Sequence, residues 1–539
     1  MATALKNINT FNLEGTPQSE KAHPDQTLNA AGGYTFSVKD LEFLRRFLIL
    51  GTEGGTFYVS ENALSLDNAK NVLKLTKENH KALVDTIVEV STSGAAYRQD
   101  PALFSLAVAS SYGTDDEKRY ALQQLSKVAR TGTHLFTFTE YVQKFRGWGR
   151  GLRRAVASWY LDKDVHKLAY QAVKYRQRNG WTHRDVLRLS HPVTDEPSRK
   201  DLFDWITHNG VGDNVPDLVR SFTALQKATS TKDVINLLER ESSLSWEMLP
   251  NSFLKDPEVW KALVLKGMPM TALIRQLPRL TNLGILEGEV RDKVLAQLRD
   301  AEYLKKSRIH PMQVLVARQT YDNGQSVRGS STWLPDQYVV QALDEAFYKT
   351  FDNVEPTGKR LLVAVDVSGS MSWSDITPGV SPREAAAAMA LIYQKTEENV
   401  DVVGFSSNNS RRGGVHESAI KEIPGFENCS TLREAVKAIN QLPMGGTDCA
   451  LPFMWAMENG KEYDAVLVLT DNETWAGYEH PFRAAEMYRK KTDIPTKFIA
   501  MGMTATESTI TNPEDPLSLS VVGFDPGVVV AINNFIAAP

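Results

Sequence analysis

The stretch LLVAVDVSGSMS, residues 361–372, decides how the C-terminal third of this chain folds. It opens as a near-continuous apolar run, the pattern of a strand buried on both faces, and breaks into small polar residues at Ser368. Four later runs have the same character: VDVVGF (400–405), DAVLVLTD (464–471), TKFIAMGM (496–503) and SLSVVGF (518–524). The segments between them, PREAAAAMALIYQKTEE, TLREAVKAINQL, LPFMWAMENG and PFRAAEMYRK, carry helical spacing. Strands alternating with helices predict a doubly wound α/β domain, with a mostly parallel sheet covered on both faces, over residues 357–539.

In such sheets ligands bind where the loops leave the carboxyl ends of the strands. Three loops in those positions are rich in oxygen: DVSGSMS after the first strand, MGGTDCA ahead of a helix, and LTDNE after the third strand. Asp366, Ser368 and Ser370 form an Asp-x-Ser-x-Ser series on one turn, and Thr447 and Asp471 come from the other two loops. Two carboxylates and three hydroxyls, with no sulfur or imidazole, are a donor set for a hard divalent cation that keeps some of its waters. Mg²⁺ is the first expectation, with Mn²⁺ or Ca²⁺ as alternatives. The five positions resemble the metal-ion-dependent adhesion site of von Willebrand factor A domains. That resemblance implies Ser368, Ser370 and Thr447 as direct ligands, Asp366 and Asp471 acting largely through water, and a partner's acidic group completing the shell.

Upstream the period changes. From residue 36 to 356 the apolar residues recur at helical spacing, as in LEFLRRFLIL, EKRYALQQLSKVAR, DVHKLAYQAVKYRQR, EVRDKVLAQLRDAEYL and YVVQALDEAFYKTF. Helix-start signals sit in the breaks, at Ser37, Asp40, Thr182, Pro257 and Pro311. Some three hundred residues exceed what one core organises, so stacked helix pairs are expected in place of a single bundle. Residues 1–35 read as a polar N-terminal segment.

Charge is distributed unevenly. The formal net charge is −4, yet residues 144–191 hold 12 Lys+Arg against 3 Asp+Glu. In FRGWGRGLRRAVASWY (145–160) a helix would set Leu152, Val156, Trp159 and Tyr160 on one face, and Arg150, Arg153 and Arg154 on another. Read as one continuous helix, 163–178 aligns Lys163, Lys167, Lys174 and Arg178 within roughly 60° of arc. WTHRDVLRLSH adds His183, Arg184 and Arg188. A basic surface on an acidic chain points to a polyanion bound through its phosphates, and no sequence-specific DNA-reading motif accompanies it.

The segments FLRRFLILGTEGGTFYV (43–59), RGWGRGLRRAVASWY (146–160) and KYRQRNGWTHRDVLRLSHP (174–192), followed by an A domain, resemble the Ro ribonucleoprotein family, whose helical module is called TROVE. The chain looks like a bacterial member. What the resemblance implies is a monomeric ring of HEAT-like helical repeats closed by the A domain. Its outer surface would bind small noncoding Y RNAs, and its hole the single-stranded 3′ ends of misfolded or precursor structured RNAs, in RNA quality control or rRNA maturation. A 3′ exoribonuclease such as polynucleotide phosphorylase is the implied protein partner. The family's Gly-Trp-Ser/Thr-His segment maps onto Gly180, Trp181, Thr182 and His183, which makes His183 an RNA-contact candidate.

Other classes fare worse. Two cysteines, Cys429 and Cys449, make neither a disulfide framework nor a zinc site. The first fifteen residues lack the apolar core of an export leader and no run is long enough to span a bilayer, so a cytoplasmic protein without membrane partners is expected. TGKR (357–360) lacks the elements of a phosphate loop, and no general base accompanies Asp366 and Asp471, so no enzyme is expected. The rival reading is a protein-interaction scaffold that uses its metal site to grip an acidic partner.

Overall fold

The computed structural model describes residues 15–52, 61–93, 96, 98–307, 309, 311–326, 330–351, 356–373, 380–407, 420–503, 506, 508–522 and 526–537. Its strands are β1 (Gln26–Leu28), β2 (Tyr34–Ser37), β3 (Gln177–Arg178), β4 (Trp181–Thr182), β5 (Leu361–Asp366), β6 (Val400–Phe405), β7 (Ile420–Glu422), β8 (Ala465–Thr470), β9 (Lys497–Gly502), β10 (Ser508–Thr509) and β11 (Ser518–Val522).

The C-terminal sheet runs β11-β9-β8-β5-β6-β7, parallel except for the edge strand β7. Every residue of β5, β8 and β9 is buried, as their apolar runs require. β11 differs from expectation: it is an edge strand whose first four residues are half-buried, and helix Asp40–Leu50 packs against it. Helices Pro382–Thr396, Leu432–Ile439, Leu451–Glu458 and Pro481–Thr492 occupy the predicted positions.

From Asp40 to Lys349 the described chain is helical apart from short turns and the β3–β4 hairpin, and each helix packs on others near it in sequence. Both ends of this series reach the C-terminal domain. At one end Arg46, fully buried in helix Asp40–Leu50, donates to the carbonyls of Thr506 (2.8 Å) and Ser508 (2.7 Å) and to Ser520 Oγ (2.6 Å). At the other end Gln319 Nε2 donates to Glu384 Oε1 (2.8 Å), and the Leu432 amide donates to the Tyr348 hydroxyl. A helical array held at both ends by one domain is a closed ring.

Local chemistry explains the punctuation. Thr182 forms a capping box with Asp185, and Asp256 caps the helix whose first residue is Pro257. Helix Asp40–Leu50 starts differently from expectation: Lys39 holds the cap position, without a side-chain bond, and Asp40 already lies in the first turn, where its charge suits the helix dipole.

Residues 15–37 do not stand apart from the C-terminal domain: β1 and β2 form a hairpin, and β2 pairs with β10. Gln18, Gln26 and Asn29 are buried despite their polarity. Hydrogen bonds to residues more than four hundred positions away, such as Asn29 Nδ2 to the Thr474 carbonyl, make that burial tolerable.

Candidate functional site

The basic wall is built on helix Arg150–Leu161. Leu152, Val156, Trp159 and Tyr160 are buried, and Arg150, Arg153 and Arg154 are exposed on the other face, as the periodicity predicts. Three arginines occupy the first five positions of a helix with no acidic residue in its first turn and no side-chain cap at Gly149. Cations at that end oppose the helix dipole, and the first amides have no side-chain acceptor; both conditions favour an anion there. The far end of the helix is secured by Arg199, buried, which donates to the carbonyls of Tyr160 (2.6 Å) and Lys163 (2.9 Å). Sequence reading missed Arg199, whose neighbouring Glu196 and Lys200 make it look like ordinary surface.

The second stripe is only partly formed. Helix Val165–Lys174 ends at Lys174, and Gln177–Arg178 pairs with Trp181–Thr182 through an Asn179-Gly180 turn in which both residues have positive φ, 52° and 79°. Arg178 is therefore exposed on a hairpin and not on the helix. Lys167, Arg184 and Arg188 are exposed as expected. Lys174 is less free: its side chain is 15% exposed and is held 3.5 Å from Glu247 and 3.0 Å from the Tyr170 hydroxyl. Lys163 lies half-buried with its ammonium 3.8 Å from the Trp159 ring centroid, and burial pulls its pKa down to about 8.

His183 is the clearest departure. It is 3% exposed, its Nδ1 is 2.8 Å from the Tyr160 hydroxyl, and its ring packs on Phe136 and Trp159. Burial pulls its pKa down to about 4, so it is neutral and presents no charge to a phosphate. Gly132 lies against it so closely that a Cβ there would sit 2.8 Å from Nε2. His183 shapes the wall from beneath. Beside it is a cavity of about 390 Å³ whose lining includes Arg176, Gln177, Arg184, Trp205 and Asn209, with no acidic residue. Arg176 lies over the Phe222 ring. The sequence signal for it was present in KYRQR, but only the fold brings Trp205 and Asn209 alongside.

The oxygen-rich loops converge at the carboxyl ends of β5 and β8. Asp366 Oδ1 accepts from the Ser368 amide (2.8 Å), its Oδ2 accepts from Thr470 Oγ1 (2.7 Å), and Ser368 Oγ is 3.1 Å from Ser370 Oγ. The Ser370 hydroxyl also hydrogen-bonds Asp471. The Thr447 loop joins through Cys449, whose Sγ is 3.7 Å from Thr470 Oγ1, and through the Thr447 carbonyl, which accepts from the amides of Trp475 (3.1 Å) and Ala476 (3.0 Å). All five predicted residues are buried. Burial, with the charge of Asp471 added, pushes the Asp366 carboxyl up to about 7, and burial raises Asp471 as well. These loops contain no Lys or Arg, and the Thr447 hydroxyl oxygen is buried with no protein partner. Crowded carboxyls and an unpartnered hydroxyl fit a divalent cation. Among the described residues no cluster of three or more His, Cys, Asp or Glu could hold a metal, so the hydroxyls would carry much of the coordination. Arg383, which sequence reading missed, donates to the carbonyls of Val367 and Ser368, both at 2.9 Å, and props the first loop from below.

Comparison with known proteins places this architecture. The Ro60 vWA domain family matches residues 360–536, and the TROVE domain family matches 27–233 and 237–325. The RNA-binding protein RO60 of Deinococcus radiodurans is 37% identical over 542 residues, spanning 98% of this chain and 99% of that protein. The RNA-binding protein RO60 of Caenorhabditis elegans is 32% identical over 602 residues, spanning 96% and 91%. The crystal structure of the Deinococcus radiodurans RO (RSR) protein superposes with a TM-score of 0.72 at 36% identity, covering 93% of this chain and 99% of that one. With both halves matched, in order and nearly end to end, this chain belongs to the Ro60 family, a TROVE helical ring closed by a von Willebrand A domain.

Proposed function

We propose that this chain binds structured RNA on its basic wall, taking Y RNAs on the outer surface and the single-stranded 3′ ends of misfolded or precursor RNAs in the hole. The observation that carries this reading is the set Arg150, Arg153, Arg154, Lys167, Arg178, Arg184 and Arg188, all exposed and none with an ion pair to a described carboxylate. Unpaired arginines are kept in water at no structural gain, and their forked donors match phosphate oxygens. Such contacts are indifferent to sequence, so selection would act on shape: a duplex is too wide for a narrow hole, and only a free strand enters. The names of the two relatives, both RNA-binding proteins, support the same reading.

Ser368, Ser370 and Thr447 would hold a divalent cation, Mg²⁺ first, with Asp366 and Asp471 orienting its waters. When bound, it supplies a positive centre whose shell a partner's carboxylate completes. The protein acts as a binder and not as an enzyme, delivering RNA to a separate 3′ exoribonuclease such as polynucleotide phosphorylase. The test compares a structured RNA carrying a single-stranded 3′ tail with the same RNA ending in a blunt duplex. The tailed RNA should win by at least tenfold, about 1.4 kcal/mol. Equal affinities would remove threading, and no binding of either would remove the RNA reading.

A further inference from the structure

Residues 15–37 lie directly on the two loops that present Thr447 and Asp471. Gln18, 0% exposed, is the centre of this contact. Its Nε2 donates to Asp448 Oδ1 and to the Glu479 carbonyl, both at 2.8 Å, and its Oε1 accepts from Thr474 Oγ1 at 2.6 Å. Its amide donates to the Gly477 carbonyl at 2.8 Å. One carboxamide thus joins the neighbour of Thr447 to the loop that begins at Asp471. Around it, Asn29 Nδ2 donates to the Thr474 carbonyl (2.8 Å) and the Ala31 amide to Glu473 Oε2 (3.2 Å). The seam is tight: a Cβ on Gly33 would lie 2.0 Å from the Thr474 carbonyl oxygen.

We infer that this N-terminal strap is a working part of the metal site, with Gln18 as the positioning residue that sets the spacing of the Thr447 and Asp471 loops, so that cation occupancy and strap docking are linked. The inference rests on the cation reading above. Linkage is reciprocal: if the docked strap tightens cation binding by some factor, the cation tightens strap docking by the same factor. These strap hydrogen bonds reach Asp448, Glu473, Thr474, Gly477 and Glu479, the neighbours of the proposed ligands, so the effect is one of loop placement. The strap continues within three residues into helix Asp40–Leu50, whose Arg46 is buried in the same domain, so the linkage extends to the first member of the ring.

The experiment uses the full chain and Mn²⁺, followed by the electron paramagnetic resonance signal of the free ion. Gln18→Ala and Gly33→Ala should each weaken Mn²⁺ binding at least tenfold. In the other direction, saturating Mn²⁺ should slow tryptic cleavage after the exposed Lys21 severalfold in the wild type and leave Asp366→Ala unchanged. That second measurement needs no strap variant to fold, and a strap that is merely structural would not respond to the metal. Wild-type Mn²⁺ affinity in both variants, or cleavage at Lys21 that ignores Mn²⁺, overturns the linkage. A wild type that binds no Mn²⁺ shows instead that the cation reading has failed, and the linkage falls with it.

Discussion

The basic wall and the oxygen-rich site treat charge in opposite ways. On helix Arg150–Leu161 the cations stand in water above a core of Trp159 and Tyr160, with no acid to neutralise them. At the ends of β5 and β8 the carboxylates are buried, crowded and driven toward protonation. An exposed unpaired charge costs little and is available to any polyanion. Crowding carboxylates in a buried site is costly, and a counter-ion in a defined place would offset that cost. The first arrangement suits a large ligand held by many weak contacts, and the second suits one small ion.

That contrast is open to direct attack. The largest effect belongs to the wall: with about six to ten phosphate contacts, RNA affinity should fall roughly 10³- to 10⁵-fold between 50 and 200 mM salt. Changing Arg150, Arg153 and Arg154 together to Ala should flatten that salt slope by about two or three units, alike for RNAs of unrelated sequence. An unchanged slope in this variant would move the contact elsewhere.

Next comes the imidazole beneath the wall. His183 is neutral when folded, with its pKa down at about 4 against an ordinary 6.5. Between those values the unfolded chain binds a proton that the folded chain does not. Stability is therefore fully present above pH 6.5 and falls as pH drops toward 4, by about 3 kcal/mol in all. Urea midpoints for wild type and His183→Gln across that range should differ in pH slope, while the RNA salt slopes of the two agree. Matching pH slopes would mean that the wild-type histidine is not held neutral.

Smaller still is Lys174. Paired with Glu247 and Tyr170, it should contribute less than about half a unit to the salt slope, and Lys174→Ala should show itself in the thermal midpoint. A full unit lost would return it to the wall. The smallest expected effect crosses between the regions: Asp366→Ala should abolish Mn²⁺ binding yet leave RNA affinity within about threefold, roughly 0.7 kcal/mol. A large loss of RNA affinity in the folded variant would show that the two regions act as one.

Much was legible in the chain read alone. Apolar runs such as LLVAVDV carry the parallel sheet, because strands buried on both faces allow few polar residues. The candidate cation-site residues were legible because Asp366 ends such a strand, Ser368 and Ser370 follow on the next turn, and Asp471 directly follows another. The exposed arginines were legible because helical period sorts apolar Leu152 and Val156 from Arg153 and Arg154. Local sequence determined these features, since each depends on residues within a turn or a strand of one another.

What the tertiary structure decided was which side chains are free. Whether Lys174 meets a phosphate or a carboxylate depends on Glu247, 73 positions away, and whether His183 carries a charge depends on Tyr160 and Phe136 closing over it. The polar strap is the extreme case. Gln18 looks like surface in a list of residues and is buried only because Asp448, Thr474 and Glu479 satisfy its amide from across the chain. Period and composition report how a residue would partition by itself, whereas a polar side chain is buried or exposed according to partners that only the folded chain brings within hydrogen-bond reach.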